Sequence, residues 1–178
     1  PTTNRRTDRY GGAPENRARF LQEIVENIAE VMPIDRVGVR LSPTAGYNSP
    51  RDPDPAETYG WVAAMLQRQG VAFIEIADTN AWAGKPDRDE LLRMIGPHFN
   101  GPLILNGGLT LDKAAELVSE GSIDLASFAR QFIANPDLPA RIEAGGPFNE
   151  PRHVGWYGGG DEGYTDYQTL ENPAARNQ

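Results

Sequence analysis

The chain has 178 residues, a formal net charge of −8 and no cysteine, so it is long enough for one compact domain and has no disulfide, thiolate metal site or cysteine nucleophile. An acidic balance without a basic run argues against nucleic acid or an anionic membrane surface as the main partner. Since no apolar run approaches a membrane span and no hydrophobic signal core occurs, we expect no membrane partner and a cytoplasmic location.

The predicted elements alternate between helices and strands. Apolar residues recur at spacings of three and four between Pro14 and Met32, which predicts a helix. The later elements follow in the order strand 37–42, helix 55–69, strand 71–77, helix 87–95, strand 102–105, helix 110–120, strand 123–128 and helix 137–143. Strands separated by single helices predict right-handed crossovers and a parallel sheet.

The order of the elements indicates part of a larger architecture. The first helix has no strand before it, and the predicted strands are too few to close a barrel that needs eight. Glycine and arginine loops after the last two strands are typical of strands seven and eight of such a barrel. We therefore predict an α/β fold that is the C-terminal half, strands 5–8, of a TIM barrel, with residues 1–144 as the half-barrel and 145–178 as a glycine-rich and aromatic tail packing on it. A doubly wound domain that binds another phosphate ligand is a weaker alternative.

Two loops offer groups that bind anions. Gly107 and Gly108, with Asn106 before them, directly follow a predicted strand, and backbone N–H groups left uncovered by glycines bind phosphate without a cationic surface. The alternative is that the pair only forms a turn. Ala129 and Arg130 follow the next strand, where the guanidinium either binds the same anion or is a solvated loop charge.

Arg40 is the charged residue of strand 37–42. An unpaired buried charge is costly, so this side chain either pairs with an acidic neighbour such as Glu75 or Asp78 or faces a ligand. In the second case, a fixed cation there stabilises an anion that develops during turnover.

Aromatic rings and histidines complete the set of candidate residues. Trp156 and Tyr157 lie in the glycine-rich tail, where their rings either cover a planar ligand or hold the tail to the domain by hydrophobic contacts. His98 and His153 have no partner at metal-ligand spacing, so we predict no metal site.

Five motifs occur in order along residues 1 to about 170. They are NxRxDxYGGxxENRxRF from Asn4, RLSP from Arg40, NGG from Asn106, FxRxFIANPDL from Phe128 and YGGGxEGYTDY from Tyr157. Together they resemble the C-terminal half of the old yellow enzyme family of FMN-dependent ene-reductases. The resemblance implies an FMN-binding barrel that uses NAD(P)H to reduce the C=C bond of α,β-unsaturated carbonyl compounds.

The resemblance also implies roles for individual residues. It gives Arg40 a catalytic role at the pyrimidine edge of the flavin, where its charge favours the anionic reduced form. It gives cofactor-binding roles to Arg40, Asn106, Gly107, Gly108, Ala129 and Arg130, and substrate-pocket roles to Trp156 and Tyr157. Ala129 stands where the family usually has glycine, and its methyl group weakens FMN binding if the backbone there needs a positive φ.

The proton donor and the pair that polarises the substrate carbonyl precede, in that family, the segment this chain matches. The resemblance therefore implies a complementary N-terminal half-barrel chain, and the open sheet edge predicts association with that half or with a second copy. The alternative is a non-enzymatic half-barrel that serves as a phosphate-binding or scaffold module.

Overall fold

The computed structural model describes residues 2–44, 52–83 and 85–170, without the side chains of residues 82 and 83. Within these residues, four strands form one parallel sheet in the order β1-β2-β3-β4. The strands are β1 (Gly38–Leu41), β2 (Phe73–Ala77), β3 (Leu103–Asn106) and β4 (Leu125–Ser127). The predicted parallel sheet of alternating strands and helices is confirmed.

The helices lie between and after the strands. Those in the described part of the chain are α1 (Pro14–Ala29), α2 (Pro55–Gln69), α3 (Arg88–Ile95), α4 (Leu111–Ser119), α5 (Arg130–Ala134) and α6 (Leu138–Ala144). Single turns of 3₁₀ helix occur at Ile34–Arg36, Asn80–Ala83 and Gly96–His98.

Local sequence signals account for most helix ends. The side chain of Asp54 accepts a hydrogen bond of 3.0 Å from the N–H of Glu57, and Gly70 ends α2 with a φ of +78°. Helix α1 stops before the predicted end at Met32, because that residue precedes a proline and is disfavoured in helical conformation. The sequence shows no signal for helix α5, because a helix of 5 residues is too short to show a period.

The two faces of the sheet differ in burial. On one face the side chains are buried, among them Val39, Ile74 and Leu105, and this face belongs to the core together with α2 and α3. Most side chains on the opposite face are partly or fully exposed, among them Arg40 and Glu75, while Ala77 at the end of β2 is buried. Strand β2, predicted to be buried on most sides, therefore alternates between a buried and a partly exposed face.

The chain divides into two compact units, Pro1–Ser127 and Phe128–Gln178. The first contains the whole sheet and helices α1 to α4, with α1 packed on α2 and α2 packed on α3. The second contains α5, α6 and the segment after them. The division falls earlier than the predicted boundary at 144/145, and the assignment of 145–178 as a tail on the barrel stays a prediction.

Buried polar side chains hold the second unit together. Arg141 is only 3% exposed, and its guanidinium donates hydrogen bonds to Asp137 Oδ1 at 2.6 Å and to the carbonyl oxygen of Gln168 at 2.6 Å. It also donates to the carbonyl oxygen of Pro147. Asp137 accepts a further hydrogen bond of 2.6 Å from the N–H of Leu170. A chain segment with little regular structure is thereby tied to α6.

Candidate functional site

A ring of four polar side chains lies on the exposed face of the sheet, one from each strand. Arg40 Nη1 donates to Glu75 Oε1 at 2.5 Å, and Arg40 Nη2 donates to Asn106 Oδ1 at 2.9 Å. Asn106 Nδ2 donates to the carbonyl oxygen of Ser127 at 2.9 Å, and Ser127 Oγ donates to Glu75 Oε1 at 2.6 Å. We call these four residues the polar ring.

The strand register produces the polar ring. Arg40 is the partner of Glu75 in the pairing of β1 with β2, and Asn106 is the partner of Ser127 in the pairing of β3 with β4. Residues at alternating positions share one face of a sheet, so these four side chains project from the same face near the carboxyl ends of the strands. In parallel α/β sheets that end of the strands is where ligands bind.

The acidic partner of Arg40 is Glu75, one of the two neighbours that the sequence suggested. The side chain of Arg40 is 44% exposed and that of Glu75 is 21% exposed, so the ion pair is in contact with solvent. An exposed pair contributes little to stability. The guanidinium is therefore both fixed in position and accessible to a ligand, which means that the two readings of Arg40 are compatible.

Asp78, the other suggested partner, has a structural role. It is completely buried, and its carboxylate accepts hydrogen bonds from the N–H groups of Ala81 at 3.1 Å and Asp87 at 2.8 Å. Burial raises the pKa of this carboxyl above its ordinary value, although the two backbone hydrogen bonds oppose the change. Asp78 thus fixes the loop that follows β2.

Gly107 and Gly108 form a turn in which a residue with a Cβ would not fit at either position. Their φ angles are +116° and +60°, and a Cβ on Gly107 would lie 2.3 Å from the carbonyl oxygen of Asp78. A Cβ on Gly108 would lie 2.7 Å from that of Ala81. The geometry of the turn is therefore enough to explain why both positions are glycine. Among the described residues, no group accepts a hydrogen bond from the N–H of Gly107 or Gly108, so both donors are available to an anion.

In the second unit, Ala129 and Arg130 begin α5. Ala129 has a φ of −99°, a conformation that alanine adopts without strain, so its replacement of the usual glycine needs no backbone change. The guanidinium of Arg130 lies 5.2 Å from the centre of the Trp156 ring, and the ring of His153 lies 5.0 Å from the same indole. Tyr157 is 97% exposed. The ligand roles predicted for these residues stay predictions.

Sequence reasoning missed the polar ring as a unit. The sequence predicts Asn106 as part of a phosphate loop, which stays a prediction, and the structure adds that both ends of the Asn106 amide bind other members of the ring. Sequence reasoning considered Glu75 only as a partner for Arg40 and gave Ser127 no role. The available signal was the presence of polar residues at alternating positions near the end of each strand, but their meeting depends on a register that the sequence does not state.

No cluster of three or more histidine, aspartate or glutamate side chains among the described residues is arranged to hold a metal ion. None of the helices described has the length and apolar character needed to cross a membrane.

Comparison with known proteins identifies the family. The sequence pattern of the NADH:flavin oxidoreductase / NADH oxidase family matches residues 1–149. The chain belongs to this flavin oxidoreductase family.

Curated relatives in the flavin oxidoreductase family match nearly all of the chain. A probable flavin mononucleotide-dependent alkene reductase of Leishmania infantum is 33% identical over 166 residues, which cover 93% of this chain and 45% of that protein. The 12-oxophytodienoate reductase 2 of Arabidopsis thaliana is 34% identical over 174 residues, which cover 96% of this chain and 46% of that protein. The chain therefore spans about half the length of the relatives it matches.

Solved structures of flavin oxidoreductases show the same relation. Morphinone reductase is 38% identical with a TM-score of 0.87, over 99% of this chain and 47% of that one. The old yellow enzyme homologue of Zymomonas mobilis is 36% identical with a TM-score of 0.86, over 94% of this chain and 48% of that one. The resemblance to old yellow enzymes is thus confirmed, the sheet is half of a TIM barrel, and the cofactors of this family are FMN and NAD(P)H.

Proposed function

We propose that this chain is the C-terminal half of an FMN-dependent ene-reductase that uses NAD(P)H to reduce the C=C bond of α,β-unsaturated carbonyl compounds. The observation that carries the proposal is the fixed, solvent-accessible guanidinium of Arg40 at the carboxyl ends of the strands. Membership of the flavin oxidoreductase family supports it. So does the description of one related structure as morphinone reductase in complex with tetrahydroNAD.

The donors present fit FMN. Gly107 and Gly108 offer two N–H groups without a protein acceptor among the described residues, and such groups bind phosphate without a cationic surface. The bound cofactor would supply hydride transfer from NAD(P)H to the β-carbon of the substrate. Arg40 would contribute a positive charge that stabilises the anionic reduced flavin. Asn106 would hold the Arg40 side chain in place through its amide oxygen.

In the second unit, Ala129 and Arg130 are proposed as further cofactor-binding residues. The negative φ of Ala129 and its backbone N–H support a role that needs no glycine. Arg130 would contribute its guanidinium, which the indole of Trp156 supports through a cation–π contact. The exposed ring of Tyr157, with Trp156 beside it, would line the substrate pocket.

The catalytic proton donor and the substrate-polarising pair would come from an N-terminal half-barrel. Helix α1 and the turn after it support this completion, because Phe20 and Ile24 in the helix and Val31 in the turn are 66%, 41% and 84% exposed, an apolar surface that a neighbouring helix would cover. Strands β1 and β4 are the two edges of the sheet, and a closed barrel would pair both. We call the chain together with such an N-terminal half, whether joined or separate, the completed protein.

The test is to purify the particle that contains this chain from its natural source and to measure its intact mass and visible absorbance. We expect enough additional polypeptide to complete the barrel, with a flavin band that NAD(P)H bleaches without oxygen and that an added enone such as 2-cyclohexenone restores. A colourless particle that contains this chain alone and binds no FMN would contradict the proposal and leave the scaffold module as the better reading.

A further inference from the structure

Glu75 links Arg40 to Ser127 in the polar ring, and the proposed function gives this residue no role. A single carboxylate oxygen, Oε1, accepts hydrogen bonds from Arg40 Nη1 at 2.5 Å and from Ser127 Oγ at 2.6 Å. The Glu75 side chain is 21% exposed, less than half the exposure of its arginine partner. The carboxylate is therefore less accessible to solvent than the guanidinium that it binds.

The polar ring restricts the Arg40 side chain from two directions. Its Nη1 is bound to Glu75 on β2 and its Nη2 to Asn106 on β3, so the guanidinium cannot turn away without losing both hydrogen bonds. The Asn106 amide is itself oriented, because its nitrogen donates to the Ser127 carbonyl oxygen. This arrangement places the guanidinium in advance of any ligand, which lowers the cost of binding.

Glu75 also reduces the positive charge that a ligand would meet at Arg40. An opposite charge at hydrogen-bond distance turns an isolated cation into a dipole, whose field weakens faster with distance than that of a single charge. The electrostatic field that a ligand meets is therefore the positive field of Arg40 reduced by the negative field of Glu75.

We propose that Glu75 is a positioning residue that fixes Arg40 and lowers the reduction potential of the bound flavin by offsetting the arginine charge. The inference rests on the proposed function. An anionic reduced flavin is stabilised by positive charge, so a carboxylate beside Arg40 makes reduction less favourable and makes hydride donation from the reduced flavin more favourable. Glu75 thus adjusts the balance between accepting hydride and passing it on.

Glu75→Gln separates the two parts of this role. Glutamine keeps a side-chain oxygen that accepts from Arg40 and Ser127, while it removes the negative charge. Glu75→Ala removes both the charge and the acceptor, and Arg40 then keeps its bond to Asn106. Glu116→Gln is the matched control, because Glu116 pairs with Lys113 at 2.7 Å on the surface of α4 and lies outside the polar ring.

The experiment measures the two-electron midpoint potential of FMN in the completed protein by equilibration with a reference dye. For Glu75→Gln we expect a shift to more positive values that makes the reduced flavin about tenfold more favoured, or about 30 mV. Glu75→Ala moves the potential in the same direction. Arg40→Gln moves it to more negative values, whereas Glu116→Gln leaves it unchanged. A merely structural role would not produce shifts of opposite sign for the two partners of one ion pair.

Measuring FMN binding first distinguishes failure of the proposed function from failure of the role proposed for Glu75. If the wild-type completed protein binds no FMN, the proposed function fails and takes this inference with it. If the wild type and the Glu75 variants bind FMN and their potentials are equal, or if the variants are more negative, the proposed function stands and the role of Glu75 is overturned. Should Glu75→Gln not yield folded protein, the sign of the shift in Glu75→Ala decides.

Discussion

The polar ring of the sheet and the buried polar residues of the second unit use the same side-chain types in opposite ways. In the second unit, the Arg141 guanidinium is 3% exposed and is bound to a carboxylate and two backbone carbonyl groups. In the polar ring, the Arg40 side chain is 44% exposed and is bound to Glu75 and Asn106. One arginine is enclosed by its own chain, and the other lies on the sheet face that this chain leaves accessible.

This difference in burial shows which of the two arginines is needed for folding. A buried guanidinium loses its hydration and must be paired completely, so the partners of Arg141 are a condition of its burial. Arg40 keeps part of its hydration, and its ion pair adds little to stability. Folding alone therefore explains Arg141, whereas the presence of an oriented guanidinium at position 40 is better explained by a ligand.

The largest expected effect is on Arg141. Arg141→Met leaves the Asp137 carboxylate and the carbonyl groups of Pro147 and Gln168 without their donor, and we expect the free energy of unfolding to fall by about 3 kcal/mol. Urea denaturation of the completed protein measures the loss, and hydrogen exchange locates it in residues 145–170. Arg152→Met is the control, since its pair with Asp166 is much more exposed. Equal losses in the two variants would contradict the contrast.

The next effect concerns the turn after β3. Gly107→Ala combines a positive φ with a contact of 2.3 Å to a backbone oxygen, and we expect a loss of about 2 kcal/mol. Gly121→Ala is the matched control, because Gly121 also has a positive φ but a Cβ there meets nothing within 4 Å. That control should lose about 1 kcal/mol. The same urea denaturation compares the two, and a smaller loss at Gly107 would refute the close contact.

Acid should loosen the second unit through Asp137. Burial raises the pKa of the Asp137 carboxyl, but the hydrogen bonds from Arg141 and from the N–H of Leu170 outweigh it, so the pKa lies below the ordinary value of 3.8. A carboxyl with a lowered pKa stabilises the folded state above the unfolded pKa, and this contribution disappears as the pH falls through the folded pKa.

Asp137→Asn tests this linkage. We expect the variant to be less stable than the wild type at pH 7, with the difference shrinking as the pH falls below 3.8. Hydrogen exchange of residues 145–170 across this range is the measurement. A difference between variant and wild type that stays constant down to acid pH would show that the Asp137 charge does not hold this segment.

The smallest expected effect on stability is at Arg40. Arg40→Gln should change the free energy of unfolding by about 1 kcal/mol or less, because glutamine keeps a donor for the ring and Glu75 keeps its hydrogen bond from Ser127. The same urea denaturation that is used for Arg141→Met measures it. A loss as large as that of Arg141→Met would mean that Arg40 is primarily structural and would remove the contrast between the two regions.

Local signals predicted much of the fold. Asp54 and Gly70 end helix α2 as their positions suggested, and the alternation of strands and helices gave the parallel sheet. The charge of Arg40 in an apolar strand predicts a side chain that is paired or faces a ligand; the pairing with Glu75 is observed, and the ligand stays a prediction. The sharing of Glu75 Oε1 by two donors was not predictable, since it depends on how three strands align. Arg141 resembles a surface helix residue in sequence, and only the folded second unit buries it.

The most direct test of the contrast is hydrogen exchange of the completed protein with and without FMN. We predict that FMN slows exchange at residues 38–41 and 106–108, where the polar ring and the unpaired N–H groups lie. Residues 145–149 and 166–170, which the buried Arg141 already holds, should exchange at the same rate in both samples. Slower exchange in these two segments of the second unit, with no change at 106–108, would contradict the assignment of the sheet face as the cofactor site.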